Sequence, residues 1–256
     1  MALVKILRVG NSHTRRELKI TKEKQPNVSF PGGSLLDEEM FCRVSGAMAS
    51  RAGKGYQHVV FQFGGNEVYE EALPLPPFEG KKTNYAGMPN AQHIILNIER
   101  KQNGVWDPAD PCNTFFFYQG ELKQRLENFV KRFLGKLQEV IAILGVKKVT
   151  IICPGPRMLR TREEAGKYNL VAYFLACCLK RQISEECLQG IQYRVFDPFV
   201  MTWGSHLGDR EARMDSLHNP KEVKDTRKKI SKYGATHYSD AVYWGISEGL
   251  QELEFA

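Results

Sequence analysis

No stretch of the chain approaches the roughly 18 consecutive apolar residues that a membrane span needs, so no span is expected. The six cysteines, Cys42, Cys112, Cys153, Cys177, Cys178 and Cys187, form no C-x-x-C pair. The adjacent Cys177-Cys178 is a poor disulfide candidate, which leaves reduced, mostly buried thiols as the expectation. No His/Cys cluster has zinc-ligand spacing, so neither a metal nor another cofactor is expected. The N-terminus, MALVKILRVG, breaks its apolar run with Lys5 and Arg8 and offers no small-residue cleavage site. It reads as a strand and not a signal peptide, and with the cysteine usage it points to the cytoplasm or nucleus. Gly64-Gly65 does not belong to a G-x-G-x-x-G dinucleotide fingerprint. There is no internal repeat, low-complexity tract or clear linker, so residues 1–256 are expected to form one domain.

What is present is an ordinary globular composition, 42% apolar and 25% charged over 256 residues, long enough to bury a full core. The 36 basic residues outnumber 29 acids, a formal excess of +7. That excess admits an acidic partner without demanding one. It gathers in Lys147–Arg162 and in Lys221–Lys232. The usual account of such runs is a solvated face.

Five short apolar, β-branched runs predict strands: Val4–Val9, Asn27–Phe30, His58–Phe63, Val149–Cys153 and Ile191–Phe196. Helical periodicity covers Ser34–Ser50, Phe115–Leu144, Arg162 to Lys180 or Gln189, and Ser239–Leu253. Ser34 is the expected N-cap of the first of these, with Asp37 three residues on. Arg15–Gln25 reads as polar surface loop or a short helix, and Thr202–Pro220 as a long polar loop before a basic, partly helical segment. Residues 68–112 read as an insertion with a small hairpin at Asn103-Gly104. The alternation of strand and helix predicts an α/β fold, a doubly wound five-stranded parallel sheet of flavodoxin-like order 2-1-3-4-5.

Strand one ends at Gly10-Asn11-Ser12-His13, which puts a small hydroxyl at the strand's C-terminal edge, where open α/β sheets hold their ligands. Ser12 is therefore a candidate nucleophile, against the plainer reading of a loop serine. In the predicted strand order Asn66 comes close to Ser12, and Gly32 or Gly33 borders the same crevice. A glycine backbone N–H and the Asn66 amide would then face an oxygen bound at Ser12, as an oxyanion hole requires. Asn66 is almost equally well explained as a turn former, and His237 as a polar residue before a helix. His13 is a poor base candidate, since adjacency to Ser12 points its side chain elsewhere.

These residues carry a resemblance. Gly10-Asn11-Ser12, Phe30-Pro31-Gly32-Gly33-Ser34, Phe63-Gly64-Gly65-Asn66-Glu67 and Gly234-Ala235-Thr236-His237 follow the block order of the SGNH (GDSL-like) hydrolase superfamily across nearly the whole chain. The Ser-His-Thr-Arg continuation is also loosely similar to esterase modules of some retroelements. The resemblance implies Ser12 as nucleophile, His237 as general base, and the Ser12 N–H, Gly32 or Gly33, and Asn66 as oxyanion donors, acting on a small acyl ester without a metal. The chain departs from the pattern at Asn11, at Glu67 and above all at Gly234, where the family places the acid that orients the histidine. Asp240, Asp197 and Asp209 are the candidates to replace that acid, alongside a backbone carbonyl. The competing expectation is a catalytically silent module that binds nucleic acid, through Arg157, Arg160 and Arg162, or a protein partner.

Overall fold

A computed structural model of the protein describes residues 5–74, 121–185, 190–197 and 217–255. Five strands, β1 (Ile6–Gly10), β2 (Asn27–Ser29), β3 (His58–Gln62), β4 (Lys148–Ile152) and β5 (Gln192–Phe196), form one sheet in the order β2-β1-β3-β4-β5. Every pairing is parallel. The fold is thus the doubly wound α/β sheet expected from the alternation and from the family resemblance. β1 and β3 are buried along their whole length, as strands covered on both faces must be.

Seven helices accompany the sheet among the described residues: α1 (Ser12–Thr21), α2 (Glu38–Ala49), α3 (Gly65–Ala72), α4 (Glu121–Leu144), α5 (Arg162–Glu185), α6 (Pro220–Arg227) and α7 (Asp240–Phe255). α1 packs on α7, while α2 packs on α4, α4 on α5 and α3 on α5. Right-handed crossovers place these two groups on opposite faces of the sheet. The core runs from Leu7, Val9, Val59 and Phe61 in the strands to Phe129, Phe133 and Tyr168 in the helices.

Three helices differ from what the sequence leads one to expect. The polar stretch after β1 is helical from Ser12 itself, so Ser12 opens a helix and does not sit in a loop. α2 starts at Glu38, capped by Asp37, whose Oδ1 accepts from the Met40 N–H at 2.8 Å. Ser34 lies upstream in a turn, accepting from the Leu36 N–H and donating to Glu70. The chain after β3 forms α3, so the first five residues of the expected 68–112 insertion are helix. The Asn103-Gly104 hairpin, Thr202 and its loop to 216, and residues 115–120 lie outside the described residues.

The register sets the site. Gly10 stands opposite Ser29 of β2 and Gln62 of β3, so the turns that follow the three strands begin at one level. At the first turn there is no space for a side chain on Gly10: a Cβ would strike Thr14 Oγ1 and lie 2.8 Å from the Gln62 carbonyl oxygen. Thr14 and Gln62 hydrogen-bond at 2.9 Å across that gap, locking α1 onto β3.

Candidate functional site

Ser12 is the first residue of α1. Asn11 precedes it as N-cap in extended conformation, its Oδ1 accepting from the His13 N–H at 3.0 Å. Asparagine and aspartate cap helices equally well, so Asn11 does what an aspartate at this position would do for the helix. The Asn11 N–H donates to the Gln62 carbonyl and its own carbonyl accepts from Ser29 Oγ, pinning the turn to both neighbouring strand ends. Orphan N–H groups of the first helical turn therefore surround Ser12.

His237 reaches this serine from the far end of the chain. Its Nε2 lies 3.0 Å from Ser12 Oγ, and its Nδ1 lies 2.8 Å from Glu222 Oε1. Glu222 Oε2 accepts from the backbone N–H groups of Thr236 and His237, each at 2.9 Å. Burial alone would raise this carboxyl, but the hydrogen bonds from His237 and its neighbour hold it at about 2. It is therefore ionised and can only accept. His237 Nδ1 then carries the proton, which leaves Nε2 as acceptor for the Ser12 hydroxyl. Arg16 adds a longer ion pair to Glu222, 3.6 Å.

The acid that meets His237 Nδ1 is thus Glu222, where the sequence leads one to expect Asp240 or Asp197 among the described residues. Asp240 opens α7 and is exposed, Asp197 follows β5, and Asp209 is outside the described residues. The reason no acid stands three residues before His237 is steric. Gly234 has φ +74°, and a Cβ there would strike Met158 O and lie 2.8 Å from Leu159 Cα. The backbone N–H of Ala235 bonds the Met158 carbonyl at 2.7 Å, so this segment lies flat against the turn after β4. Glu222 comes instead from the first turn of α6, whose N-cap Asn219 accepts from Lys221 and Glu222 N–H groups. A bridge between His218 and Tyr238, with Asn219 N–H donating to His237 O at 2.9 Å, clips that helix start to the histidine.

On the other side of the crevice Asn66 sits in the first turn of α3. Its Nδ2 donates to Gly33 O at 2.9 Å, and its Oδ1 accepts from Arg157 Nη2 at 3.3 Å. A guanidinium can only donate, so the amide orientation follows from these two partners. One N–H of Nδ2 remains to meet a ligand. The Gly33 N–H is engaged by the Phe30 carbonyl at 2.9 Å. Gly32 has φ +72° and is exposed.

Glu67, where the family pattern has its last acid, is fully buried and ties the two loops together. Its Oε1 accepts from Leu35 N–H at 2.6 Å and its Oε2 from Gly64 N–H at 3.0 Å. Burial lifts its carboxyl to about 7, against the pull of those two donors. The folded pKa lies above the ordinary glutamate value of 4.5, so the folded state keeps a proton that the unfolded chain has released between those values. This group therefore lowers stability as pH rises from 4.5 to about 7, with no further change above. In thermal melts from about pH 5 to about pH 8, Glu67→Gln should gain on wild type by at most about 3 kcal/mol as the pH rises.

Behind the serine lies an aromatic wall. His13 is buried with its ring centroid 5.3 Å from His237 and 4.7 Å from Tyr238, and its Nδ1 meets Tyr243 OH at 2.9 Å. Burial, then the charges of His237 and Arg157, push its pKa well down. His13 is a neutral packing element, as its adjacency to Ser12 suggests.

Arg157 does not lie on an exposed basic face. Arg157 is 6% exposed, its guanidinium 5.0 Å above the Tyr168 ring and in contact with Asn66. Arg160 is exposed and donates to Ser231 O, and Arg162 opens α5. Among the described residues no three His, Cys, Asp or Glu side chains gather as metal ligands would. No helix among them is long and apolar enough to cross a membrane.

Neither a family model nor a curated protein matches the chain. Among solved structures it is similar to a phospholipase A1 from Streptomyces albidoflavus NA297, with a TM-score of 0.50 at 12% identity over 96% of this chain and 97% of that one. A lipase, Lip_vut3, from a goat rumen metagenome aligns over 96% of this chain and 95% of its own at 14% identity, with a TM-score of 0.38. The first likeness shows that the two proteins share a fold.

Proposed function

We propose that the protein is a serine esterase or related acyl hydrolase, in which Ser12, His237 and Glu222 form the catalytic relay. The observation that carries this reading is the chain of contacts Ser12 Oγ–His237 Nε2 at 3.0 Å and His237 Nδ1–Glu222 Oε1 at 2.8 Å. A serine hydroxyl is a poor nucleophile at neutral pH and needs such a base, and the base needs a fixed tautomer. His237 takes the hydroxyl proton as Ser12 Oγ bonds to the acyl carbon. The carbonyl oxygen becomes an oxyanion facing the Ser12 N–H, the Gly32 N–H and the remaining Asn66 N–H. His237 returns the proton to the alcohol as the C–O bond breaks, leaving an acyl-serine. A water, deprotonated by His237, then releases the carboxylic acid and restores Ser12. Glu222 stays ionised and stabilises the imidazolium.

The shared fold with a phospholipase A1 and the order of sequence blocks support an ester substrate. The alternative of a silent binding module rests on the missing acid at Gly234 and on the Arg/Lys clusters; the contact of Glu222 with His237 speaks against the first of these grounds. The test is hydrolysis of p-nitrophenyl acetate together with labelling by a fluorophosphonate. A stoichiometric adduct on Ser12 that is absent in His237→Ala supports the reading; no turnover and no adduct would overturn it.

Arg157 has a defined part in this scheme, because it fixes which end of the Asn66 amide faces Gly33. Arg157→Met frees that amide to turn. The expected result is a fall in kcat of about ten- to hundredfold, less than loss of a whole oxyanion donor, with KM little changed. Steady-state kinetics beside a thermal melt checks it.

A further inference from the structure

The segment between Glu222 and His237 presents a surface that catalysis does not use. Its tip, Arg227–Tyr233, reads RKKISKY, and no acid occurs from Thr226 to Ser239. Ile230 is 68% exposed and Tyr233 54% exposed, with exposed Lys228, Lys229 and Lys232 around them. Arg160 joins the group by donating to the Ser231 carbonyl at 2.6 Å. We propose that this loop docks the protein on an anionic lipid surface, Ile230 and Tyr233 entering the headgroup–acyl boundary and the surrounding cations meeting lipid phosphates and carboxylates.

A single exposed apolar side chain is ordinary. Here two share a tip that is ringed by cations and built to stay outward. Ile230 N–H and Ser231 N–H both donate to Asp225 O, Lys229 N–H donates to Thr226 O, and Ser231 Oγ donates to Gly234 O. Lys229 holds φ +59°, a left-handed conformation that a non-glycine residue adopts only where its surroundings impose it. A loop already ordered gives up little conformational freedom on binding. An apolar tip set among lysines is the composition of an interfacial anchor, and the basic groups are drawn to the negative potential of acidic lipids.

Nucleic acid fits less well. Ile230, the more exposed of the two apolar side chains, has no π face to stack a base on. The Tyr233 ring stands edge-on to Tyr69, with centroids 6.4 Å apart. Tyr69 belongs to α3, the helix that carries Asn66, so a surface held by this loop would lie beside the crevice. Resting on the hydrolase reading, the substrate class would then be an ester carried in, or partitioned into, that lipid surface.

The experiment uses full-length Ser12→Ala protein, so binding is read without turnover, and sediments it with phosphatidylcholine vesicles with and without phosphatidylserine. The expected result is phosphatidylserine-dependent binding that weakens with salt and falls about tenfold or more in Ile230→Ser/Tyr233→Ser and in Lys228→Glu/Lys232→Glu. In the Ser12 background these variants should hydrolyse p-nitrophenyl acetate as the parent does, which shows that they are folded. Absence of vesicle binding, equal binding by the loop variants, or loop-dependent binding of single-stranded RNA with none to vesicles would each overturn the proposal. Failure of ester hydrolysis would leave the vesicle result unaffected.

Discussion

Ser12→Ala protein should lose about 10⁴- to 10⁶-fold in kcat toward p-nitrophenyl acetate, the scale on which serine hydrolases lose their nucleophile. The size of the effect follows from what is left. The alanine variant retains the His237–Glu222 pair and the proposed oxyanion donors, but no acyl-enzyme can form. Its stability should be almost unchanged, because the cap of α1 is Asn11 and Ser12 contributes only one partly buried contact to His237. Kinetics together with a thermal melt decides the matter. An alanine variant as active as wild type would remove Ser12 from the mechanism.

The second large effect is expected at Glu222. In Glu222→Gln one side-chain oxygen remains for the Thr236 and His237 N–H groups, so the amide nitrogen is turned toward His237 Nδ1. An N–H there needs an acceptor, which forces the imidazole proton onto Nε2 and leaves nothing to take the Ser12 proton. A fall in kcat of about 10³- to 10⁴-fold is the expected consequence of the wrong tautomer. Asp240→Asn and Asp197→Asn should keep wild-type rates, and kinetics on the three variants separates the acids. The carboxyl of Glu222 also enters the acid stability of the protein. Burial works against its charge, but the His237 bonds hold it at about 2, below the ordinary glutamate value of 4.5. Its contribution is therefore complete above 4.5 and is lost as pH falls toward 2.

The sheet was legible because its strands are covered on both faces and read as unbroken apolar runs, as in Val59-Val60-Phe61. α1 was less legible for a physical reason. Its buried positions, His13, Thr14, Glu17, Leu18 and Thr21, keep helical spacing, yet four of the five are polar. Glu17 is there because Arg8 of β1 is buried against it at 2.6 Å. α3 hides in the same way, with Glu67 and Glu71 among its buried positions. A search for apolar periodicity passes over such helices. At the site, Ser12, His237 and Asn66 stand at element ends marked by glycine or small polar residues; Ser12 and His237 meet at 3.0 Å, while Asn66 bonds Gly33 and Arg157. Glu222 is hard to read as the partner of His237, because it lies 15 residues upstream on a separate helix and neither beside the histidine nor at a strand end. The available signal was Asn219-Pro220 followed by Glu222, a helix start that sets a carboxylate in the first turn.

The clip between His218 and Tyr238 has a consequence for how activity is lost. Glu222 and His237 are held near a small apolar cluster of Met158, Val223 and Ala235, distinct from the main core, whereas Ser12 opens a helix packed on that core. Glu222 therefore stands by the small cluster, while His237 is tied through Tyr238 to the main core as well. A local opening of the small cluster would part the acid from the base with the sheet and Ser12 still in place. On heating, the relay should fall apart first, and hydrolysis should cease at temperatures where the helical signal of the protein is still intact.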